Sequence, residues 1–212
     1  MKSDSSINLS DFMTFLLYDI VKATPLFSYI DMNQVLVCSA YNKKVTGGGI
    51  FAKVVPMRFE NGVPVKKFKD HWYAFPKIMN NGFEILYIVY FYIPRYFDLP
   101  AYEKLNVAFH ELYHISPKFN GDVRRMGRYK FSHGYSKEHF NNQFKDELSH
   151  YYNRIKNTPL NTILEMNFAQ ISDHFETVYT RNMKVPRPKK LRIIRSDSHR
   201  EWFPGNQKYP LC

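Results

Sequence analysis

The chain has 212 residues, of which 44% are hydrophobic and 17% aromatic, and this composition favours one sizeable globular domain over a disordered protein. The longest apolar runs, FLLY from Phe15 and ILYIVYFYI from Ile85, are too short to span a bilayer, and the sequence from Met1 lacks the apolar segment of a signal peptide. We therefore expect a cytoplasmic protein without a membrane partner.

The charge is strongly positive and unevenly distributed. The formal net charge is +11, which favours acidic partners, and nucleic acid above all. Residues 181–200 hold eight of the 30 lysines and arginines and only one aspartate, so we expect residues 181–212 to form a basic, mostly extended tail that can contact nucleic acid. The two cysteines, Cys38 and Cys212, form neither a disulfide framework nor a cysteine-based zinc site.

The first predicted element along the chain is a helix that Ser10 or Asp11 caps. Two strands follow, at residues 34–41 and 49–59, because both stretches are rich in β-branched and aromatic residues. The glycines at 47–49 are expected to form the turn of a hairpin between these strands.

A polar connection over residues 61–69 leads to a short strand at 72–76 and then to a turn at residues 80–82. Residues 83–93 form the strongest predicted strand, and its apolar side chains on both faces are typical of a strand that is covered on both sides. The predicted order is a helix, about three strands and a second, buried helix. This order indicates an α+β fold with a short mixed β-sheet packed on helices.

The buried helix, at residues 103–115, carries the motif HELYH. Positions i and i+4 of a helix lie one above the other, so His110 and His114 project from one face and could clamp a metal ion. Glu111 lies about 100° round from His110, close enough to hold and deprotonate a metal-bound water. About 0.01 occurrences of this motif are expected by chance in a chain of this composition, which disfavours the interpretation of both histidines as ordinary core side chains.

The region after the motif is predicted to contain a long loop up to residue 135, a helix at 137–157 and a last helix at 161–179. Residues 1–180 then form the domain that carries the motif, and residues 181–212 form the tail. Polar side chains of the loop could bind substrate, support the site or lie in solvent; they are Asp122, Arg124, Arg125 and Arg128.

A catalytic zinc ion needs three protein ligands and one open position, so a third ligand must come from elsewhere in the chain. His133 is the first choice, because the flexible Gly134 lets the backbone turn and bring the imidazole back over the helix. Glu147 and His150 are the alternatives, and Glu147 would give the His₂Glu composition of thermolysin-type sites. The full set of downstream candidates is His133, Glu138, His139, Glu147 and His150.

The segments AFHELYHISPKFNGDVRR and GRYKFSHGYS resemble a phage metallopeptidase family, a small group of zincin-like proteins of viruses, bacteria and archaea. The resemblance covers residues 106–135 well and the strands from residue 34 more loosely. It implies a minimal zincin-like domain in which His110, His114 and His133 are the zinc ligands and Glu111 is the catalytic base. It also implies a location in the host cytoplasm if the protein is viral.

These observations lead to two hypotheses from different classes. The first is a zinc-dependent metallopeptidase that cleaves a protein or peptide substrate, with Glu111 activating a zinc-bound water and passing its proton to the leaving amine. The second is a nucleic-acid-binding protein whose zinc site is structural or degenerate, although structural zinc usually recruits cysteine. A protease that its basic tail recruits to nucleic acid would combine the two.

Overall fold

The structure is a computed structural model that describes residues 3–41, 50–126, 136–193 and 202–203. Over these ranges the chain is α+β, as predicted. Its helices are α1 (Leu9–Ala23), α2 (Ala101–Tyr113), α3 (Lys137–Asn142), α4 (Lys145–Ile155), α5 (Pro159–Glu165) and α6 (Phe168–His174). Its strands are β1 (Ser3–Asn8), β2 (Val35–Tyr41), β3 (Ala52–Pro56), β4 (Val65–Phe68), β5 (His71–Ala74), β6 (Met79–Asn80), β7 (Phe83–Glu84), β8 (Tyr87–Ile93), β9 (Phe175–Tyr179), β10 (Lys189–Lys190), β11 (Arg192–Ile193) and β12 (Trp202–Phe203).

The main sheet has the strand order β2-β8-β3. Strand β8 pairs in parallel with β2 and antiparallel with β3, which confirms the short mixed sheet. The predicted hairpin between β2 and β3 is wrong, because β8 lies between them. The reason is burial. Almost every side chain of β8 is buried, and such an apolar strand favours the central position of a sheet, with a neighbouring strand on each edge. The predicted turn at residues 47–49 lies outside the described part of the chain.

Two further predictions about secondary structure are wrong. The helix expected at 161–179 ends earlier, since α5 and α6 are separate helices and β9 then pairs in parallel with β1. The polar connection at 61–69 contains β4, which forms an antiparallel hairpin with β5. The lysines of β4 are compatible with a strand because they lie exposed on the surface, where burial does not select apolar residues.

The ends of the helices also differ from the prediction. Helix α1 is capped by Asn8, whose side chain accepts hydrogen bonds from the backbone amides of Ser10 (3.0 Å) and Asp11 (3.3 Å). The helix expected at 137–157 is divided into α3 and α4 at Phe144, whose φ of −134° is not helical. The ring of Phe144 is fully buried, so tertiary burial overrides the helical preference of the flanking residues.

Helix α2 is buried in the core, as predicted. The ring of Phe109 contacts the rings of Phe27 and Tyr151, with centroid separations of 5.4 and 5.7 Å. Lys104 is fully buried as well, and its Nζ donates to the backbone oxygens of Leu164 (2.6 Å) and Met166 (2.7 Å). Burial lowers the pKa of Lys104 to about 8, and its two hydrogen bonds satisfy carbonyl groups at the end of α5. The position of α2 is therefore constrained by both apolar and polar contacts.

Within the described ranges, no helix is long and apolar enough to cross a membrane.

Candidate metal centre

The two histidines of the HELYH motif lie together at the carboxyl end of α2. His114 follows the last residue of the helix, but its φ and ψ of −68° and −20° are still helical, and its backbone amide donates to the His110 oxygen at 3.2 Å. The two rings are nearly perpendicular, and their Nε2 atoms are 3.1 Å apart. Two nitrogen atoms therefore converge on one point, as the i, i+4 spacing predicts.

This separation fits a zinc ion. Two Zn–N bonds of about 2.0–2.1 Å at a tetrahedral angle hold their nitrogens about 3.3 Å apart. The observed 3.1 Å between the Nε2 atoms of His110 and His114 is within a few tenths of an ångström of that value. The separation of the pair is therefore compatible with two ligands to one zinc ion.

A hydrogen bond from α3 determines which nitrogen of His110 can bind a metal. The Nδ1 atom of His110 lies 2.7 Å from Oδ1 of Asn141, and an amide oxygen only accepts hydrogen bonds. Nδ1 therefore carries the hydrogen, and Nε2 presents its lone pair. The amide of Asn141 is oriented in turn by Asn106, whose Oδ1 accepts from Asn141 Nδ2 at 3.4 Å.

The same hydrogen bond determines how the two imidazoles interact without a metal. Since His110 Nε2 is an acceptor in this tautomer, Nε2 of His114 is the donor of the contact across the 3.1 Å separation. A metal ion that binds both nitrogens requires that hydrogen to move to Nδ1 of His114, since a neutral imidazole keeps one ring hydrogen. Metal binding at this pair needs neutral imidazoles and therefore weakens as the pH falls.

An aromatic ring closes one side of the histidine pair. Phe140 is fully buried, and its ring centroid lies 4.8 Å from that of His110 and 4.6 Å from that of His114. Helix α3 positions both Phe140 and Asn141, and its own first turn is capped by Ser136, whose Oγ accepts from the His139 amide at 3.0 Å. The short helix thus provides an apolar wall and a polar anchor for the pair.

The loop after α2 holds the end of that helix. Arg124 donates its backbone amide to the His114 oxygen (2.6 Å) and its Nε to the Tyr113 oxygen (2.7 Å), and its guanidinium lies 4.0 Å from the centroid of the Tyr113 ring. Buried Asp122 accepts hydrogen bonds from the Asn61 amide at 2.8 Å and from Arg125 Nε at 3.2 Å. Arg124 therefore holds the backbone at the end of α2, and Asp122 pairs with Arg125 in the same loop. A role of these side chains at the site stays a prediction, and Arg128 lies outside the described residues.

No third metal-ligating side chain joins His110 and His114 among the residues that the structure describes. His133 falls in the undescribed range 127–135, and the described ranges contain no group of three histidine, cysteine, aspartate or glutamate side chains suited to a metal ion. Glu138, His139 and His150 are exposed and Glu147 is half-buried, and none of them completes such a group with His110 and His114.

Glu111 is buried in the same helix turn, with 6% of its surface exposed. Its carboxylate is thus carried by a rigid element directly beside the first histidine, as the motif predicts.

Sequence reasoning did not find Asn141 and Phe140. They are 31 and 30 positions from His110 along the chain, and neither residue type has a spacing that signals contact with a histidine.

No protein family matches this chain, and no curated protein or solved structure matches it either.

We expect Asn141→Ala to weaken zinc binding about 10- to 100-fold, because His110 loses the acceptor that directs its Nε2 toward the metal. Competition with a chromophoric chelator at constant pH measures this change. Asn142→Ala is the matched control, since Asn142 is the exposed neighbour in the same helix. Equal zinc affinity in the Asn141 variant and the control would contradict the orienting role.

Proposed function

We propose that the chain is a zinc-dependent metallopeptidase with a minimal zincin-like fold, in which His110, His114 and His133 hold Zn²⁺ and Glu111 is the general base. The observation that carries the proposal is the 3.1 Å separation of the two Nε2 atoms, together with the Asn141 bond that presents His110 Nε2 as a ligand. A histidine oriented by a hydrogen bond from its other nitrogen is typical of metal ligands.

The chemistry divides between the metal and the protein. When bound, zinc polarises the substrate carbonyl and acidifies water at its open position. Glu111 accepts the proton of the attacking water as the new carbon–oxygen bond forms, and it then delivers that proton to the leaving amine nitrogen as the peptide bond breaks. Its buried position near the histidine pair keeps bulk water from competing for the proton.

The residues on either side of the undescribed range favour His133 as the third ligand. Both flanks of the undescribed range contact the site elements: Arg124 bonds to the His114 oxygen, and Phe140 packs on both imidazoles. His133 is only three residues from Ser136, which caps α3. This proximity supports His133 over the more distant Glu147 and His150.

The main sheet offers a place for a peptide substrate. Strand β3 is at the edge of that sheet, and within the described ranges no other strand pairs with its outer side. Helix α2 packs against β3, so a peptide that added to this edge in an extended conformation would run beside the helix that carries Glu111. This arrangement supports a peptide as the substrate.

A structural zinc site in a nucleic-acid-binding protein is the second candidate. It shares the histidine pair with the first candidate but gives Glu111 no role. Changing Glu111 therefore separates the two.

We expect Glu111→Gln to retain zinc and the fold but to lose hydrolysis of an unfolded protein by at least about 100-fold, because the amide keeps the shape of the side chain but cannot accept the proton. Zinc content and release of labelled peptides measure the two effects. Glu103→Gln, at the start of the same helix, is the matched control. Equal hydrolysis by wild type and the Glu111 variant would exclude a catalytic role and favour the structural site.

We expect His133→Ala to reduce zinc occupancy strongly, and Glu147→Ala and His150→Ala to leave it nearly unchanged, since only a residue bonded to the metal supplies a coordinate bond. Elemental analysis of the three purified variants measures the occupancy. A loss confined to Glu147→Ala would instead identify a thermolysin-type ligand set.

A further inference from the structure

The small sheet β10-β5-β4 has two distinct faces. Antiparallel partners lie opposite each other and point to the same side, and the register pairs Lys190 with Tyr73 and Tyr73 with Lys66. Phe68 and His71 form the next pair on that side. We call this set the outer face; its members are Lys66, Phe68, His71, Tyr73 and Lys190.

The opposite face of this sheet is partly covered by the protein and also carries the exposed Lys67 and Lys189. Its apolar members are half-buried; they are Val65, Trp72, Ala74 and Leu191. The Leu191 amide continues the ladder by donating to the Trp72 oxygen at 2.8 Å. On the outer face, by contrast, all members except Tyr73 are exposed. The sheet therefore presents its outer face to solvent.

The outer face and its surroundings carry unneutralised positive charge. Residues 65–74 and 184–192 contain one aspartate and eight exposed cations, which are Lys66, Lys67, Lys69, Lys184, Arg187, Lys189, Lys190 and Arg192. None of these eight takes part in an ion pair with a described acidic residue. Like charges crowded on one surface repel each other, so a polyanion that neutralises them is the favoured partner.

Aromatic side chains lie among these cations. Phe68 is 62% exposed, which is unusual for a phenylalanine in a strand. The Nζ atom of Lys69 lies 5.9 Å from the centroid of its ring. On the same face, Lys190 Nζ lies 3.0 Å from Nε2 of His71. Flat rings between lysines suit a ligand that alternates anionic groups with aromatic groups.

We propose that the outer face binds single-stranded nucleic acid. Its lysines contact the phosphates, and Phe68, with Tyr73 beside it, provides a platform on which unpaired bases stack. In a duplex the bases are already stacked on one another, so the exposed ring favours a single strand. This binding goes beyond the proposed peptidase activity and does not depend on the zinc site.

Part of the basic tail belongs to the same small sheet as β4 and β5. Residues 189–190 complete the small sheet with the β4–β5 hairpin, so the binding face is shared between two distant segments. Arg181, at the start of the tail, donates its backbone amide to Ser10 Oγ at 2.8 Å and its Nη1 to the Val37 oxygen at 2.8 Å. Deleting the tail would remove these contacts, so substitutions of surface side chains test the proposal more cleanly.

The test is fluorescence anisotropy of a labelled 12-nucleotide single strand with the full-length protein at 50 and 200 mM salt. We expect the double variant Lys66→Glu with Lys190→Glu to weaken binding more than tenfold. The milder pair Lys66→Gln with Lys190→Gln should lower the slope of log Kd against log salt by about 1.4, since each phosphate contact on a single strand contributes about 0.7. The control is Lys118→Glu with Lys145→Glu, which changes the net charge equally at exposed positions elsewhere.

Stacking is tested separately. Phe68→Ala should weaken single-strand binding about tenfold, whereas Phe83→Ala, which removes another exposed phenylalanine ring, should leave it unchanged. Equal losses in the lysine variants and their charge-matched control would overturn the proposal. So would tighter binding of a duplex or of heparin than of the single strand, or an unchanged affinity after Phe68→Ala.

Discussion

The arrangement of this protein around its motif depends on one constraint: two imidazole nitrogens are held 3.1 Å apart on a buried helix. Asn141 holds His110 by its Nδ1, Phe140 packs on both rings, and Arg124 holds the backbone at His114. These contacts come from two parts of the chain, α3 and the loop after α2, and they restrict movement of the pair. A pair restrained in this way loses little conformational freedom when a metal binds.

The parts of the fold that sequence predicted are those with a strong local signal. The apolar run of β8 and the apolar surface of α2 both require burial, and both elements are where the pattern placed them. Strand pairing was not predictable from order along the chain, since β2 and β3 are neighbours in sequence but each pairs with β8 rather than with the other. The serine-rich β1 lacks the alternation of a half-buried strand, so its pairing with β9 had no local signal.

At the candidate site as well, sequence predicted the local spacing of residues but not their tertiary contacts. The spacing of His110, Glu111 and His114 is a property of the helix itself, so sequence alone gives their relative positions. Asn141 belongs to another helix, and its contact with His110 depends on how α3 packs on α2, which no local pattern encodes. The charge of the tail was similarly evident from composition, but its incorporation into a sheet with the β4–β5 hairpin depends on backbone pairing. Sequence thus indicated the chemistry of both surfaces, whereas tertiary structure determines which residues share each one.

The most direct test of the metal centre is the zinc content of the purified protein, measured by elemental analysis after dialysis and again after titration with zinc. We expect one Zn²⁺ per chain and loss of binding after either His110→Ala or His114→Ala. A folded wild-type protein that contains no zinc and takes up none when zinc is added would contradict the account.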